Sequence, residues 1–148
     1  MSYPEKRNLI ALLGTLFFAI FYTIYLWNLR SLGLLATTHS FSDWGYLVIG
    51  VLGLKIGFNI VVHIVFNIIN TVATKEREPA YVDELDTLIE LKSLMYAFMT
   101  FMLGFLGAIM SVAIGSEMLV MFNLFIYAFF AAEITGVASQ FYYYKRGF

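Results

Sequence analysis

The amino-acid sequence predicts an all-α, polytopic membrane protein with four transmembrane helices, and three observations support this. The 148-residue chain is 61% hydrophobic and only 13% charged, whereas soluble domains are about 45–50% apolar and about 25% charged. Most charged residues lie between or beyond four long apolar runs, and each run is long enough to cross a bilayer. The longest segment outside these runs has about 20 residues, so residues 1–148 should form a single membrane domain.

The first two helices are predicted over about 8–29 and 45–72. The first apolar run is longer than the roughly 7–15 residues of a signal-peptide core and lacks a small-x-small cleavage site, so we expect a helix of the mature protein. Before the second helix, Ser40 or Ser42 can cap the helix N-terminus, and Asp43 is well placed against the helix dipole.

The third helix is predicted over about 80–114, including a lead-in where Val82, Leu85 and Ile89 recur at helical spacing. The fourth helix is predicted over about 118–142. Because the loops after the first and third helices are short, helices 1 and 2 and helices 3 and 4 should each form an antiparallel hairpin.

The distribution of basic residues predicts the orientation of the chain. Most Lys and Arg residues lie at the N-terminus, between helices 2 and 3, or at the C-terminus. Arg30 is on the opposite side, and Lys55 lies inside a span. The positive-inside rule then places both termini in the cytoplasm.

The lead-in of the third helix carries three acidic residues, Asp83, Asp86 and Glu90, on one face. One interpretation is a face exposed to solvent or lipid headgroups, with its charge partly neutralised by neighbouring Lys and Arg residues. The other is a docking face for a basic cytoplasmic protein partner or a divalent cation, although it lacks the glycine-bearing loop of a typical calcium site.

Helix 2 carries a regular line of polar residues inside an apolar run. The line consists of Lys55, Asn59, His63, Asn67 and Thr71, each four residues after the last. Four residues turn a helix by about 400°, so the line follows one ridge. An unsatisfied polar group facing lipid costs several kcal/mol, so we expect the ridge to face other helices or a wet cavity. Lys55 could be buried there or could extend toward the outer surface.

Helix 4 carries an unusual acidic residue, Glu133, within its span. Glu133 and His63 each lie 12 residues before a basic residue at the cytoplasmic boundary, which places both about 18 Å from it. We therefore expect a His63–Glu133 hydrogen bond, within one chain or across a dimer. A carboxyl poised in this way can exchange protons, whereas the structural alternative is a static pair that holds two helices together.

Small residues recur at helix-packing spacing. Gly53 and Gly57 form a GxxxG pair on helix 2, and Ala128, Ala132 and Gly136 form a ridge on helix 4. Four helices alone bury few faces completely, so we expect a homodimer.

Several chemistries are disfavoured by the sequence. The chain has no cysteine and only two histidines, and His39 lies in the outer loop while His63 lies in a span. Thiolate sites, a bis-histidine haem and a zinc site therefore lack ligands. A hydrolytic triad, a phosphate-binding glycine loop and a basic face for nucleic acid are also missing. We expect no enzyme activity, no cofactor and no metal.

Three segments resemble a group of small, uncharacterised four-helix prokaryotic membrane proteins. They are Glu5-Lys-Arg before the first span, Val82-Asp-Glu-Leu-Asp-Thr-Leu-Ile-Glu90 before the third, and Tyr144-Lys-Arg-Gly-Phe148 after the fourth. In that group an arginine occupies the position of Leu85. The resemblance implies the four-helix fold and its topology, and it transfers no catalytic residue. We expect the protein in a prokaryotic inner membrane.

Together these features predict a proton-linked carrier or channel for a small molecule or ion. In this hypothesis Glu133 exchanges protons, His63 is its partner, Asn59 and Asn67 line the polar path, and Lys55 attracts an anion at the outer mouth. The alternative is a non-transporting accessory or sensor protein whose acidic cytoplasmic segment docks a partner.

Overall fold

The computed structural model describes residues 3–32, 41–74 and 84–146. Within them lie four α-helices: α1 (Tyr3–Ser31), α2 (Phe41–Thr74), α3 (Glu84–Ala113) and α4 (Met118–Arg146). All four are long and apolar enough to cross a membrane. The prediction of an all-helical chain with four potential membrane spans is therefore confirmed.

The helices differ from the predicted ranges mainly at their ends. Helix α3 begins at Glu84, so its helix includes most of the predicted lead-in, and its first turn carries Glu84 and Asp86, which favour a helix N-terminus. Residues 80–83, including Asp83, lie outside the described residues, as does Ser40. Ser42 lies inside α2 rather than before it.

Helix α3 ends in a turn built around Gly115, whose φ is +88°. Its N–H donates to the Val112 carbonyl at 3.0 Å, and the Ser116 N–H donates to the Ser111 carbonyl at 2.9 Å. This pattern is a Schellman motif, which needs a left-handed residue and so favours glycine. This motif ends α3, and α4 begins at Met118, three residues after Gly115.

Helix α4 is the centre of the bundle, because it contacts each of the other three helices and packs most extensively against α3. The closest approach is at Gly104 of α3, where a Cβ would overlap that of Ala128 and lie 3.1 Å from the Ala128 Cα. A Cβ at Gly136 would lie 3.2 Å from the Ala97 Cβ. The small residues of α4 therefore pack against α3 within one chain.

Helix α1 packs against α4 through an aromatic cluster. Tyr22, Ile126 and Phe130 are all buried there. The Tyr22 hydroxyl donates to Asn123 Oδ1 at 2.6 Å, so the one polar atom of the buried ring is satisfied.

Helix α2 is the least buried of the four. It meets α1 where Phe58 lies against Gly14. Apart from adjacent residues and the backbone of α2 itself, no described atom lies within 4 Å of the Cβ positions of Gly53 and Gly57. The GxxxG pair of α2 therefore faces outward.

Candidate functional site

Lys55 is buried in the bundle, with only 2% of its surface exposed. Its ammonium forms an ion pair with Glu133 Oε2 across the contact between α2 and α4. The Nζ atom also lies 5.3 Å from the centroid of the Phe129 ring, within the range of a cation–π interaction. Of the two orientations that the sequence left open for Lys55, the structure therefore shows the buried one.

Glu133 is bound from α2 through both of its oxygens. Asn59, one turn after Lys55, donates through Nδ2 to Glu133 Oε1 at 3.5 Å, which is at the long limit of a hydrogen bond. Among the described groups, the partner of Oε2 is the Lys55 ammonium. Since α2 touches α4 at few other places, this polar contact is a large part of what joins the two helices.

The structure does not form the expected hydrogen bond between His63 and Glu133. Lys55 lies 14 residues after the first residue of α2, and Glu133 lies 15 residues after the first residue of α4, so these two are level when counted from the N-terminal ends of their helices. Helix α2 has 34 residues and α4 has 29, so counting from the C-terminal ends shifts the register. His63 is half-buried and lies about 12 Å further along α2 than Lys55.

The polar line of α2 is divided into two parts. Its N-terminal part, Lys55 and Asn59, meets α4 at Glu133. Its C-terminal part continues past His63 to Asn67, which lines a shallow surface depression together with Thr71. Asn67 lies about 18 Å from Lys55 along the helix, so the structure does not bring it to Glu133.

A groove with a volume of about 800 Å³ runs between α3 and α4 and reaches Glu133. Along α3 it extends from Thr87 to Phe101, which is about 21 Å of helix. Most of its wall is apolar, and polar side chains such as Gln140 are concentrated toward the end formed by the start of α3 and the last turns of α4. The ion pair therefore borders an elongated groove within the membrane-spanning part of the bundle.

Ser93 lies in the groove floor and was not anticipated from the sequence. It is completely buried, and its hydroxyl has no hydrogen-bond partner in the part of the chain that the structure describes. A serine within an apolar helical run usually bonds back to its own helix, so the sequence gives no signal of an unpaired hydroxyl.

The acidic face of α3 is partly engaged within the chain. Glu90 Oε1 accepts a hydrogen bond from Arg7 Nη2 of α1 at 3.1 Å, and both side chains are partly exposed, so the pair contributes at most about 1 kcal/mol. Asp86 is half-buried beside the Tyr144 hydroxyl, and Lys92 lies 5.0 Å from the Tyr143 ring centroid. Sequence reasoning missed Arg7, because the pair joins residues more than 80 positions apart.

The sequence matches no protein-family model, no curated protein and no solved structure. The resemblance to small prokaryotic four-helix membrane proteins therefore stays a prediction. Any function has to be argued from the Lys55–Glu133 pair and the groove beside it.

Proposed function

We propose that this chain is a small integral membrane carrier or channel, linked to protons, that moves a small molecule or ion. The observation that carries the proposal is the position of the Lys55–Glu133 ion pair at the edge of the α3–α4 groove. Ionisable groups inside membrane-spanning segments are costly and mark ion or substrate pathways. Here a carboxylate and its counter-charge lie beside space that a substrate can occupy.

The pair can couple a proton to a movement of α2. A buried ion pair is tolerated because each charge compensates the other, and removing one charge leaves the other unpaired at a cost of about 3–5 kcal/mol. Protonation of Glu133 would remove its charge while Lys55 stays buried. The Asn59 amide would then donate to a neutral carboxyl group instead of a carboxylate. The protonation state of Glu133 therefore biases the contact between α2 and α4, which is a two-state element of the kind that carriers require.

The proposal includes a topology, a membrane and an assembly. Two antiparallel hairpins with both termini in the cytoplasm satisfy the positive-inside rule, and the membrane we propose is a prokaryotic inner membrane. The outward-facing Gly53 and Gly57 support a homodimer, because small residues at this spacing allow close helix contact.

The test measures proton uptake by reconstituted vesicles that contain a trapped pH-sensitive dye, under an imposed membrane potential. We expect the wild-type protein to raise uptake above that of protein-free vesicles, and Glu133→Gln to return it to the protein-free rate. Glu117→Gln is the matched control, since Glu117 lies in the loop before α4 and should leave the rate unchanged. An unchanged rate for Glu133→Gln would remove Glu133 from the proton path.

A second candidate function is a non-transporting accessory or sensor protein. It is favoured by the fact that α2 engages both oxygens of Glu133, as a static clamp would. Glu90, half-exposed near the N-terminal end of α3, would then belong to a surface for a cytoplasmic partner. This function predicts wild-type proton uptake equal to that of protein-free vesicles, together with a loss of stability in Glu133→Gln.

A further inference from the structure

The charged and aromatic residues of the groove wall indicate what could occupy it. Two carboxylates line the groove: Glu133 of α4, and Glu90 near the N-terminal end of α3. Three aromatic residues, Phe98, Phe101 and Phe129, lie between or beside them. Among the described lining residues there is no Lys, Arg or His.

This combination favours an organic cation over other ligands. Carboxylates attract a positive charge strongly where little water screens them, and the faces of aromatic rings attract cations as well. Glu133 is paired with Lys55 and Glu90 with Arg7, so an added anion would have to compete with both carboxylates for these two cations. A small metal ion would need about six oxygen ligands, which this largely apolar wall does not offer.

We propose that the groove binds an amphipathic organic cation, with its charged group at Glu133 and its apolar part along α3. This names the substrate class of the proposed carrier and so rests on the proposed function. Because Lys55 is the partner of Glu133 Oε2, the bound cation must displace the lysine ammonium. The cation, the proton and Lys55 are then alternative partners of one carboxylate, which is the condition for exchanging one for another.

Displacement of Lys55 gives the two partners of the ion pair opposite effects on binding. Lys55→Met removes the competitor and leaves the carboxylate, so the cation should bind more tightly. Glu133→Gln removes the attracting charge, so the cation should bind more weakly. A pair with a purely structural role would weaken binding in both variants, because each would distort the same contact.

The experiment measures binding of tetraphenylphosphonium to the full chain in lipid nanodiscs by equilibrium dialysis, with protein-free nanodiscs subtracted. We expect the dissociation constant to fall at least about tenfold in Lys55→Met and to rise at least about tenfold in Glu133→Gln, each corresponding to one charge interaction in a poorly screened site. Glu117→Gln should not change it. Equal weakening in both ion-pair variants would overturn the proposal.

A second variant keeps the test informative if an ion-pair variant does not fold. Phe98 lines the groove but is 61% exposed, so Phe98→Leu should fold normally. It should weaken tetraphenylphosphonium binding by about three- to tenfold through loss of a cation–π contact. Phe21→Leu is the control, because Phe21 is similarly exposed on α1 and is not among the groove residues. Equal effects of the two substitutions would contradict the proposal.

A neutral probe tests whether the groove selects for positive charge or accepts any apolar molecule, such as a lipid chain. Tetraphenylmethane has nearly the same shape as tetraphenylphosphonium but no charge, and equal binding of the two would show a general apolar site and overturn the cation proposal. Proton uptake that depends on Glu133, without tetraphenylphosphonium binding, would overturn this inference and leave the proposed function standing. Charge-selective binding without proton uptake would support the cation site and contradict the carrier.

Discussion

Helix α4 packs against α3 and against α2 by two different means. The contact with α3 is close and built from small residues, with Gly104 against Ala128 and Gly136 near Ala97. The contact with α2 is slight apart from one polar cluster, in which Lys55 and Asn59 reach Glu133. The α3–α4 interface therefore depends on shape, and the α2–α4 interface depends on charge.

This difference separates a fixed part of the bundle from a part that can respond to protons or ligands. Dispersion between close backbones does not depend on pH or on bound ions, so α3 and α4 should move together as one unit. A buried ion pair no longer stabilises its interface when one charge is removed or binds another partner, because the remaining charge is then uncompensated. We therefore expect α2 to be the helix whose position changes.

The largest expected effect is that of breaking the charge-dependent interface. Glu133→Gln leaves the Lys55 ammonium unpaired at 2% exposure, which should lower the free energy of unfolding by about 3–5 kcal/mol. Adding Lys55→Met removes the uncompensated charge, so the double variant should recover most of that loss. Unfolding in mixed detergent micelles, followed by circular dichroism, measures both.

The double-mutant cycle also shows whether the two residues act as a pair. If the losses of Glu133→Gln and Lys55→Met simply add in the double variant, the residues are not coupled and the ion pair does not hold α2. A matched cycle on Arg7 and Glu90, whose ion pair is partly exposed, should give a coupling energy no larger than about 1 kcal/mol.

The next effect tests the shape-dependent interface. Gly104→Ala adds a Cβ that would overlap Ala128, and overpacking of this kind costs about 1–3 kcal/mol. Gly107→Ala is the control on the same helix, because none of the described neighbours lies within 4 Å of its Cβ position and alanine favours a helix over glycine. The same unfolding measurement should show a loss for the first variant and none for the second.

A compensating change sharpens this test. Combining Gly104→Ala with Ala128→Gly removes the methyl group that the new Cβ would overlap, so part of the lost stability should return. Since the Cβ would still lie 3.1 Å from the Ala128 Cα, recovery should be incomplete. No recovery at all would mean that the closest approach of α3 and α4 is elsewhere.

The four helices were predictable because their signals are local. Long apolar runs, charged boundaries and the small-residue ridge of α4 can each be read within one segment, and α3 does pack against that ridge at Ala128 and Gly136. The pairing of Lys55 with Glu133 was not predictable in the same way. It depends on the relative depth of two helices of unequal length, and a count from the predicted cytoplasmic boundary pointed to His63 instead.

The groove and the Arg7–Glu90 pair could not be predicted from the sequence. The groove depends on how the side chains of α3 and α4 are arranged around shared space, and in the sequence the aromatic residues that line it look like those of any apolar helix face. The side chains of Arg7 and Glu90 meet because α1 and α3 both pack against α4. These features follow from the arrangement of helices in space, which a pattern along one helix does not specify.

The smallest expected effect on the single chain concerns the outward face of α2. A leucine at Gly53 would meet no described neighbour within the chain, so Gly53→Leu should change the free energy of unfolding of a monomer by less than about 0.5 kcal/mol. If α2 instead packs against a second copy in the proposed homodimer, the leucine would separate the two backbones and lower the dimer fraction. Single-molecule photobleaching in lipid vesicles counts copies, with Gly107→Leu as the control on α3. A dimer fraction unchanged by Gly53→Leu would place the dimer contact elsewhere and leave α2 tied to the bundle chiefly by its charges.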